Sequence, residues 1–275
     1  MGRLRLPKNY VSKHLLIAGT ISALVAGMMA PALPESATAS VGTSTSKGFD
    51  TCAAPSTSTM DIWWTNSPYY WIGIYIGGSS RSCSQSNLTS SWITHVTASG
   101  WALLPIWAGL QDPCWTQGSS KFSTDPTTAF NQGENEAVLA VTALHDLGFP
   151  TGTSGSTKVA LDLETYSHTS VCVAAAQAFV KGWDTSLGFS PSQVSGVYGS
   201  SDGSDISALT GSPAPNFIWG ADWDNNPDTS ILPPIPSAAW SGGHRLKQYA
   251  APHGETYGGV GINIDGDNAN GPLYY

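Results

Sequence analysis

The feature that most constrains the fold of this chain is a series of eight short apolar runs separated by longer segments. The runs cover residues 48–51, 71–77, 102–107, 158–164, 193–198, 216–222, 245–249 and 260–265. Runs of this length predict β-strands. Helical patterns fill several of the gaps, at 90–99, 126–147 and 171–187. Strands that alternate with helices predict parallel pairing, and eight such units predict one domain, a closed TIM-type (β/α)8 barrel of the α/β class.

The pattern within single strands also favours a barrel. Val159, Leu161 and Leu163 alternate with Ala160, Asp162 and Glu164, and the run 72–77 alternates in the same way. Because successive side chains of a strand point to opposite faces, one face can pack on outer helices while the other faces the barrel interior. An open, doubly wound sheet would favour strands that are apolar on both faces.

The first 39 residues have the pattern of a secretory signal peptide. A basic leader precedes the apolar run 15–30, and Ala37-Thr38-Ala39 resembles a cleavage site. A membrane anchor is the alternative, but this run is shorter than the roughly 20 residues that span a bilayer. We expect cleavage after Ala39, a disordered stretch at 40–47, the barrel at 48–275, and a secreted, extracellular or wall-associated protein.

Charge limits the class of partner. Removal of residues 1–39 leaves 7 basic and 18 acidic residues, a formal charge of −11. Nucleic acids and anionic membrane surfaces both bind clustered Lys and Arg, so neither is expected as a partner. We expect a monomer.

Four cysteines follow the first four predicted strands at the same end of the barrel: Cys52, Cys83, Cys114 and Cys172. An even number in an exported chain predicts two disulfides, for which three pairings are possible. Our hypothesis is pairing between neighbours, Cys52 with Cys83 and Cys114 with Cys172.

Four acids lie at predicted strand ends, where α/β barrels place their active sites. Asp50 ends the first strand, Asp162 and Glu164 end the fourth, and Asp265 ends the eighth. Clustered carboxylates separate one another's pKa values, which provides the protonated acid and the anion that glycoside hydrolysis needs. Glu164 is the predicted acid and Asp162 its partner. Chance surface acids and a divalent-cation site are the alternatives; we expect no metal and no cofactor.

Aromatic and amide side chains near the same strand ends are candidates for substrate binding: Trp107, Tyr198, Trp219, Trp223 and Gln248. The flat face of a pyranose packs on an indole, whose N–H can also donate a hydrogen bond. The alternative is core packing, which we expect for Trp63, Trp64, Trp71, Trp92 and Trp183.

Several motifs, in the same order, resemble the actinobacterial glycoside-hydrolase-like domain of unknown function 1906. They are the runs 48–52, 72–78, 104–111 and 196–198 and the Asp162-Leu163-Glu164 strand. That family is similar to the family 25 glycoside hydrolases, the lysozyme-type muramidases. The resemblance implies a TIM-type barrel, export and a cell-envelope role, with a polysaccharide or peptidoglycan fragment as the ligand. It also implies Asp162 and Glu164 at the acid position, with Asp50 and Asp265 completing the site. Asp265-Gly266-Asp267 departs from the Asp-x-Asn usual in muramidases.

Three functions are therefore open. The first is hydrolysis of N-acetylated wall glycan by a muramidase-like hydrolase. The second is a non-catalytic envelope protein that binds carbohydrate on the same barrel. The third is a metal-dependent phosphodiesterase, against which the lack of well-placed histidines counts.

Overall fold

The computed structural model describes residues 42–151, 157–188, 193–201, 203, 205–211 and 215–275. Eight strands form a closed barrel in chain order, so the predicted α/β barrel is confirmed. The strands are β1 (Gly42–Asp50), β2 (Trp71–Gly77), β3 (Ala102–Trp107), β4 (Thr157–Asp162), β5 (Gln193–Ser200), β6 (Phe217–Ala221), β7 (Arg245–Tyr257) and β8 (Val260–Leu273). The segment 1–39, expected to be a signal peptide, lies outside the described residues.

Among the described residues, four α-helices pack on the outer face of the barrel. They are α1 (Thr57–Asn66), α2 (Ser90–Ala98), α3 (Pro126–Asp146) and α4 (Ser170–Gly188), and a 3₁₀ turn covers Ser207–Leu209. The helix α1 was not predicted. It begins where the Ser56 hydroxyl accepts a hydrogen bond from the N–H of Thr59, an ordinary N-terminal cap. None of the helices among these residues is long and apolar enough to cross a membrane.

The last strand corrects the expectation of parallel pairing throughout. The strands β1 to β7 pair in parallel, but β8 is antiparallel to both β7 and β1. A tight turn at Gly258 and Gly259, both with positive φ, joins β7 to β8. Antiparallel strands can be joined by two residues, whereas a parallel connection needs a long crossover. The described chain therefore closes its barrel without a final helix.

The strand β1 begins at Gly42, earlier than expected. Residues 42–47, placed by the sequence in a disordered stretch, pair with residues 268–273 of β8. This pairing gives their backbone N–H and C=O groups partners that a disordered segment would find only in water.

The strands β7 and β8 continue past the level at which Asp50 pairs with Asp265. Their outer parts form the β7–β8 hairpin (residues 250–264). The indole N–H of Trp63 donates to the carbonyl of Val260 at 2.9 Å, and the Tyr69 hydroxyl donates to Glu255 at 3.0 Å. Both donors lie on or beside α1, so the hairpin is fixed to the body of the barrel.

Side chains alternate between the two faces as predicted. Val159, Leu161 and Leu163 belong to the core between strands and helices, whereas Ala160 lies in a separate interior cluster. The tryptophans expected to pack in the core are buried, with Trp64 partly buried. Both predicted disulfides, Cys52–Cys83 and Cys114–Cys172, are present. They fix the loops after β1, β2, β3 and β4 at one end of the barrel.

Candidate active site

A cleft of two adjoining hollows opens at the barrel end where β1 to β6 finish. The larger hollow measures about 510 Å³ and the smaller about 160 Å³. Asp50, Glu164 and Asp265 line both hollows, and Asp162 lines the smaller one. The four acids singled out in the sequence thus lie in one concave site, contributed by β1, β4 and β8.

Asp50 is the deepest of the acids that reach both hollows, with 2% of its surface exposed. It ends β1 opposite Gly73 on one side and Asp265 on the other. A Cβ atom at Gly73 would lie 2.8 Å from that of Asp50, so this glycine makes room for the carboxyl. Burial, and then the charge of Asp265, raise the pKa of Asp50 to about 8, although hydrogen bonds with Gln248 and Asp267 oppose the rise.

Asp162 and Glu164 occupy successive levels of the wall. Asp162 ends β4 and is buried, and its Oδ1 has no hydrogen-bond partner among the described residues. Burial, Glu164 and Asp50 hold its pKa well above the usual value. Glu164 lies at the exposed rim two residues later. Partial desolvation in the cleft, followed by the charge of Asp205, raises the pKa of Glu164.

Asp265 reaches the site from a position in its strand that the sequence did not predict. It lies in the middle of β8 rather than at its end, and it faces the cleft because the antiparallel strand passes the level of Asp50 there. Burial raises its pKa to about 6, against an opposing effect of His253. One level deeper, Asp267 is fully buried and accepts a hydrogen bond from the Trp219 indole at 2.9 Å.

Gln248 connects three parts of the site. Its Nε2 donates to Oδ2 of Asp50 at 2.8 Å. Its Oε1 accepts hydrogen bonds from the Tyr198 hydroxyl and from the Trp223 indole, both at 2.9 Å. With its donor and acceptor used in this way, Gln248 fixes one aromatic side chain of the wall and one of the rim relative to Asp50.

The five candidate binding residues separate into two groups. Tyr198, Trp223 and Gln248 line the larger hollow, and Trp223 leaves 56% of its surface exposed there. Trp219 is buried beneath the site, where its ring packs on Tyr198 at 4.6 Å between centroids. Trp107 does not reach the mouth. Its side chain is 7% exposed and its indole donates to Glu136 of α3 at 2.5 Å, so it packs between strand and helix.

Three residues that the sequence did not single out also shape the site. Tyr75 of β2 lines both hollows. Gln111, fully buried after β3, donates to the carbonyl of Asp162 and accepts from the N–H of Glu164, each at 2.8 Å, and so fixes the backbone between these acids. Asp205 lies behind Glu164. The alternation of β2, which puts Tyr75 on the same face as Gly73, could have identified the first; nothing local identifies the other two.

One set of potential metal ligands lies close together among the described residues, and it lies outside the two hollows of the cleft. Its three ligand atoms, from Asp112, Cys114 and Cys172, lie within 4.8 Å of one another. Both of these cysteines are joined in a disulfide, so their sulfurs are not available as thiolates. The cleft itself is strongly acidic, and Arg81 is the one Lys or Arg among the residues that line its two hollows.

Chemically, the carboxyls in and beneath the cleft release their protons at different pH values. Asp50, Asp162 and Asp267 are buried acids that favour the neutral form, while Asp265 ionises near pH 6. Glu164 lies at the surface, where it can meet a ligand. An exposed indole and a network of amide and hydroxyl groups lie alongside.

Comparison with known proteins gives a family and a fold. Residues 62–269 match the model of the Rv2525c-like, glycoside hydrolase-like domain. No curated protein matches the chain.

Similar solved structures include an uncharacterized protein of B. stearothermophilus (TM-score 0.51, 16% identity, 82% of this chain and 95% of that one). The Tat-secreted protein Rv2525c of Mycobacterium tuberculosis, in complex with L-tartrate, has TM-score 0.50 and 14% identity over 82% and 96% of the two chains. The bacterial lysozyme from Streptomyces coelicolor has TM-score 0.50 and 14% identity over 84% and 94%. At these identities the structures share a fold.

Proposed function

Because this chain belongs to the Rv2525c-like, glycoside hydrolase-like domain family, we propose that it hydrolyses N-acetylated cell-wall glycan by carboxylate acid catalysis. The observation that carries the proposal is the gathering of Asp50, Asp162, Glu164 and Asp265 in one cleft beside an exposed indole. Cleavage of an acetal needs a proton donor for the leaving oxygen and a group that stabilises the oxocarbenium-like centre.

Glu164 is the proton donor in this proposal. It lies at the exposed rim, within reach of a ligand, and its raised pKa keeps the carboxyl protonated to a higher pH than an ordinary glutamate. A proton transfer of this kind contributes typically about 10²–10⁴-fold in rate. The hydrogen bond from its backbone N–H to Gln111 fixes the start of the loop on which it lies.

Asp162 orients the substrate. Its Oδ1 is buried beside the smaller hollow, has no partner in the part of the chain that the structure describes, and can accept the N–H of an acetamido group. The carbonyl oxygen of that group then bonds to the anomeric carbon as the glycosidic bond breaks and the leaving oxygen takes the proton of Glu164. Water subsequently opens the cyclic intermediate and returns a proton to the Glu164 carboxylate. Such substrate-assisted reactions are the known exception to the scheme with two catalytic carboxylates.

The test is release of reducing ends from peptidoglycan and from chitin fragments. Glu164→Gln should abolish release while leaving the folded state intact. Glu134→Gln, on α3 and outside the residues that line the cleft, is the matched control and should retain the wild-type rate. If wild type, Glu134→Gln and Glu164→Gln are equally inert, the hydrolase proposal is wrong.

Carbohydrate binding without turnover is the second candidate. The half-exposed ring of Trp223, fixed by its hydrogen bond to Gln248, favours it, because a preorganised indole binds a sugar face whether or not the sugar is cleaved. This candidate predicts sugar affinity in both wild type and Glu164→Gln, measurable by calorimetry, with no reducing ends released by either.

We also propose that the protein acts outside the cell as a monomer. Two disulfides favour an oxidising compartment, and the leader pattern of residues 1–39 agrees with export. N-terminal sequencing of protein recovered from the culture medium should begin at Ser40. Recovery of the chain from the cytosol alone would contradict export.

A further inference from the structure

A buried carboxylate lies behind the proposed acid and has no part in the reaction described above. Asp205 follows β5, in the segment that leads to the 3₁₀ turn, and its side chain is fully buried. Its Oδ1 lies 2.6 Å from Nε2 of His168. His168 is four residues beyond Glu164, in the loop that connects β4 to α4, and 28% of its side chain is exposed.

The contact joins the loops that follow two neighbouring strands. In the β4–α4 loop, Tyr166 is buried and packs edge-on against the ring of His168 at 4.8 Å between centroids. The same loop leads into the first turn of α4, where Cys172 is joined to Cys114. Burial raises the pKa of Asp205, and hydrogen bonds from the side chains of His168 and Thr165 and from the backbone of Tyr166 oppose this rise by stabilising the charged form. Three residues within four positions of Glu164 therefore converge on this one carboxylate.

Charged and titratable groups face Glu164 from several elements. Asp162 lies two residues earlier, at the end of β4, while Asp50 comes from β1 and Asp265 from β8. The other titratable or charged residues that line the same hollows are Tyr75, Tyr198, Arg81, Asp222 and Asp224. After desolvation, the largest effect on the pKa of Glu164 is that of Asp205, which repels the ionised form. Asp162, in contrast, responds to Glu164 and Asp50.

We infer that Asp205 is a positioning residue of the site, which through His168 holds the loop that carries Glu164 and keeps a negative charge behind that carboxyl. The inference rests on the proposed function only where it treats Glu164 as the catalytic acid. The hydrogen bond between Asp205 and His168, and the effect of the Asp205 charge on Glu164, can be tested in the absence of any substrate.

The decisive measurement is a carbon-13 titration of the glutamate side-chain carboxyls. The chain has five glutamates, so the signals are few, and Glu164→Gln assigns the one that matters. Asp205→Asn removes the charge and keeps a side chain that can hydrogen-bond to His168. It should lower the pKa of Glu164 by on the order of one pH unit, because a like charge disfavours ionisation. Asp184→Asn, a half-buried acid of α4 that contacts Ser195 near the start of β5, is the matched control and should leave this signal in place.

An unchanged Glu164 titration in folded Asp205→Asn overturns the inference. If Asp205→Asn fails to fold, Asp205→Ser removes the same charge, offers His168 a hydroxyl, and carries the same expectation. Where the wild type releases reducing ends, the alkaline limb of its pH profile should move to lower pH in Asp205→Asn by the same amount. A wild type that is inert but shows the shifted titration sinks the proposed function and leaves this inference standing.

Discussion

Replacing Asp50 by Asn tests whether the floor of the cleft is a protonated acid at neutral pH. Folding buries this carboxyl beside Asp265 and Asp267 and raises its pKa from 3.8 to about 8. Between these two values the folded protein keeps a proton that the unfolded chain has released. The free energy of unfolding therefore falls as pH rises through this window, and the Asp50 contribution to that fall disappears in Asp50→Asn.

The size of the effect follows from the width of the window. One pH unit corresponds to about 1.4 kcal/mol for a single group that is protonated in one state only. Between pH 5 and pH 8 the folded state of the wild type should lose up to about 4 kcal/mol through Asp50. Asn has nearly the shape of the protonated acid and keeps an oxygen that accepts from Gln248, so little packing changes.

The assay is denaturant unfolding of wild type and Asp50→Asn at both pH values. The stabilisation of Asp50→Asn relative to wild type should be larger at pH 8 than at pH 5 by about 2–4 kcal/mol. The control is Asp146→Asn, whose side chain on α3 is 73% exposed and where a change within about 0.5 kcal/mol is expected at both pH values. A difference between Asp50→Asn and wild type that is equal at pH 5 and pH 8 would refute the reasoning.

Two further predictions concern the aromatic residues and a disulfide. Trp223→Ala should weaken the binding of a soluble glycan up to about tenfold in calorimetry and leave thermal unfolding unchanged, because its ring is half-exposed at the cleft. Trp107→Ala should do the reverse, with a loss of about 3–5 kcal/mol in unfolding free energy and unaltered affinity, because its ring is buried against α3; equal effects of the two changes on affinity would contradict this assignment. Replacing Cys114 and Cys172 together by Ala releases a 58-residue loop and should lower the free energy of unfolding by about 4 kcal/mol in urea, and a loss below about 1 kcal/mol would contradict it.

The sequence predicted best those elements whose burial follows from their own pattern. The strands β2 and β3 begin and end at the predicted residues, because strict alternation or a short apolar run is bounded by polar residues and glycines. The helix α1 escaped notice because only Met60 and Trp63 are buried in a segment rich in Ser and Thr. Its position is set by tertiary contacts with the β7–β8 hairpin and not by local propensity.

The direction of β8 was not evident from its apolar pattern, which reads the same for parallel and antiparallel strands. The Gly258-Gly259 pair was an available signal, since adjacent glycines between two alternating runs favour a hairpin. The sequence predicts Asp265 at the mouth as the end of a parallel strand, whereas the structure brings it there from the middle of an antiparallel strand.

Alternation within β3 could also have excluded Trp107 from the mouth. Leu104 and Ile106 belong to the interior cluster, so their neighbour in sequence must face the helices. The side chain of Trp219 does face inward, but one level below the rim. Asp205 and Gln111 lie on loops whose paths depend on the whole fold, and no periodicity in the sequence predicts such contacts.

The β7–β8 hairpin makes the entrance to the cleft unequal on its two sides. Pro252 of this hairpin borders the larger hollow, and hydrogen bonds from Trp63 and Tyr69 keep the projecting ribbon in place. Under the proposed function, a glycan that approaches the acids meets this ribbon as a fixed wall on one side. The ribbon therefore restricts the directions from which such a chain can enter the cleft.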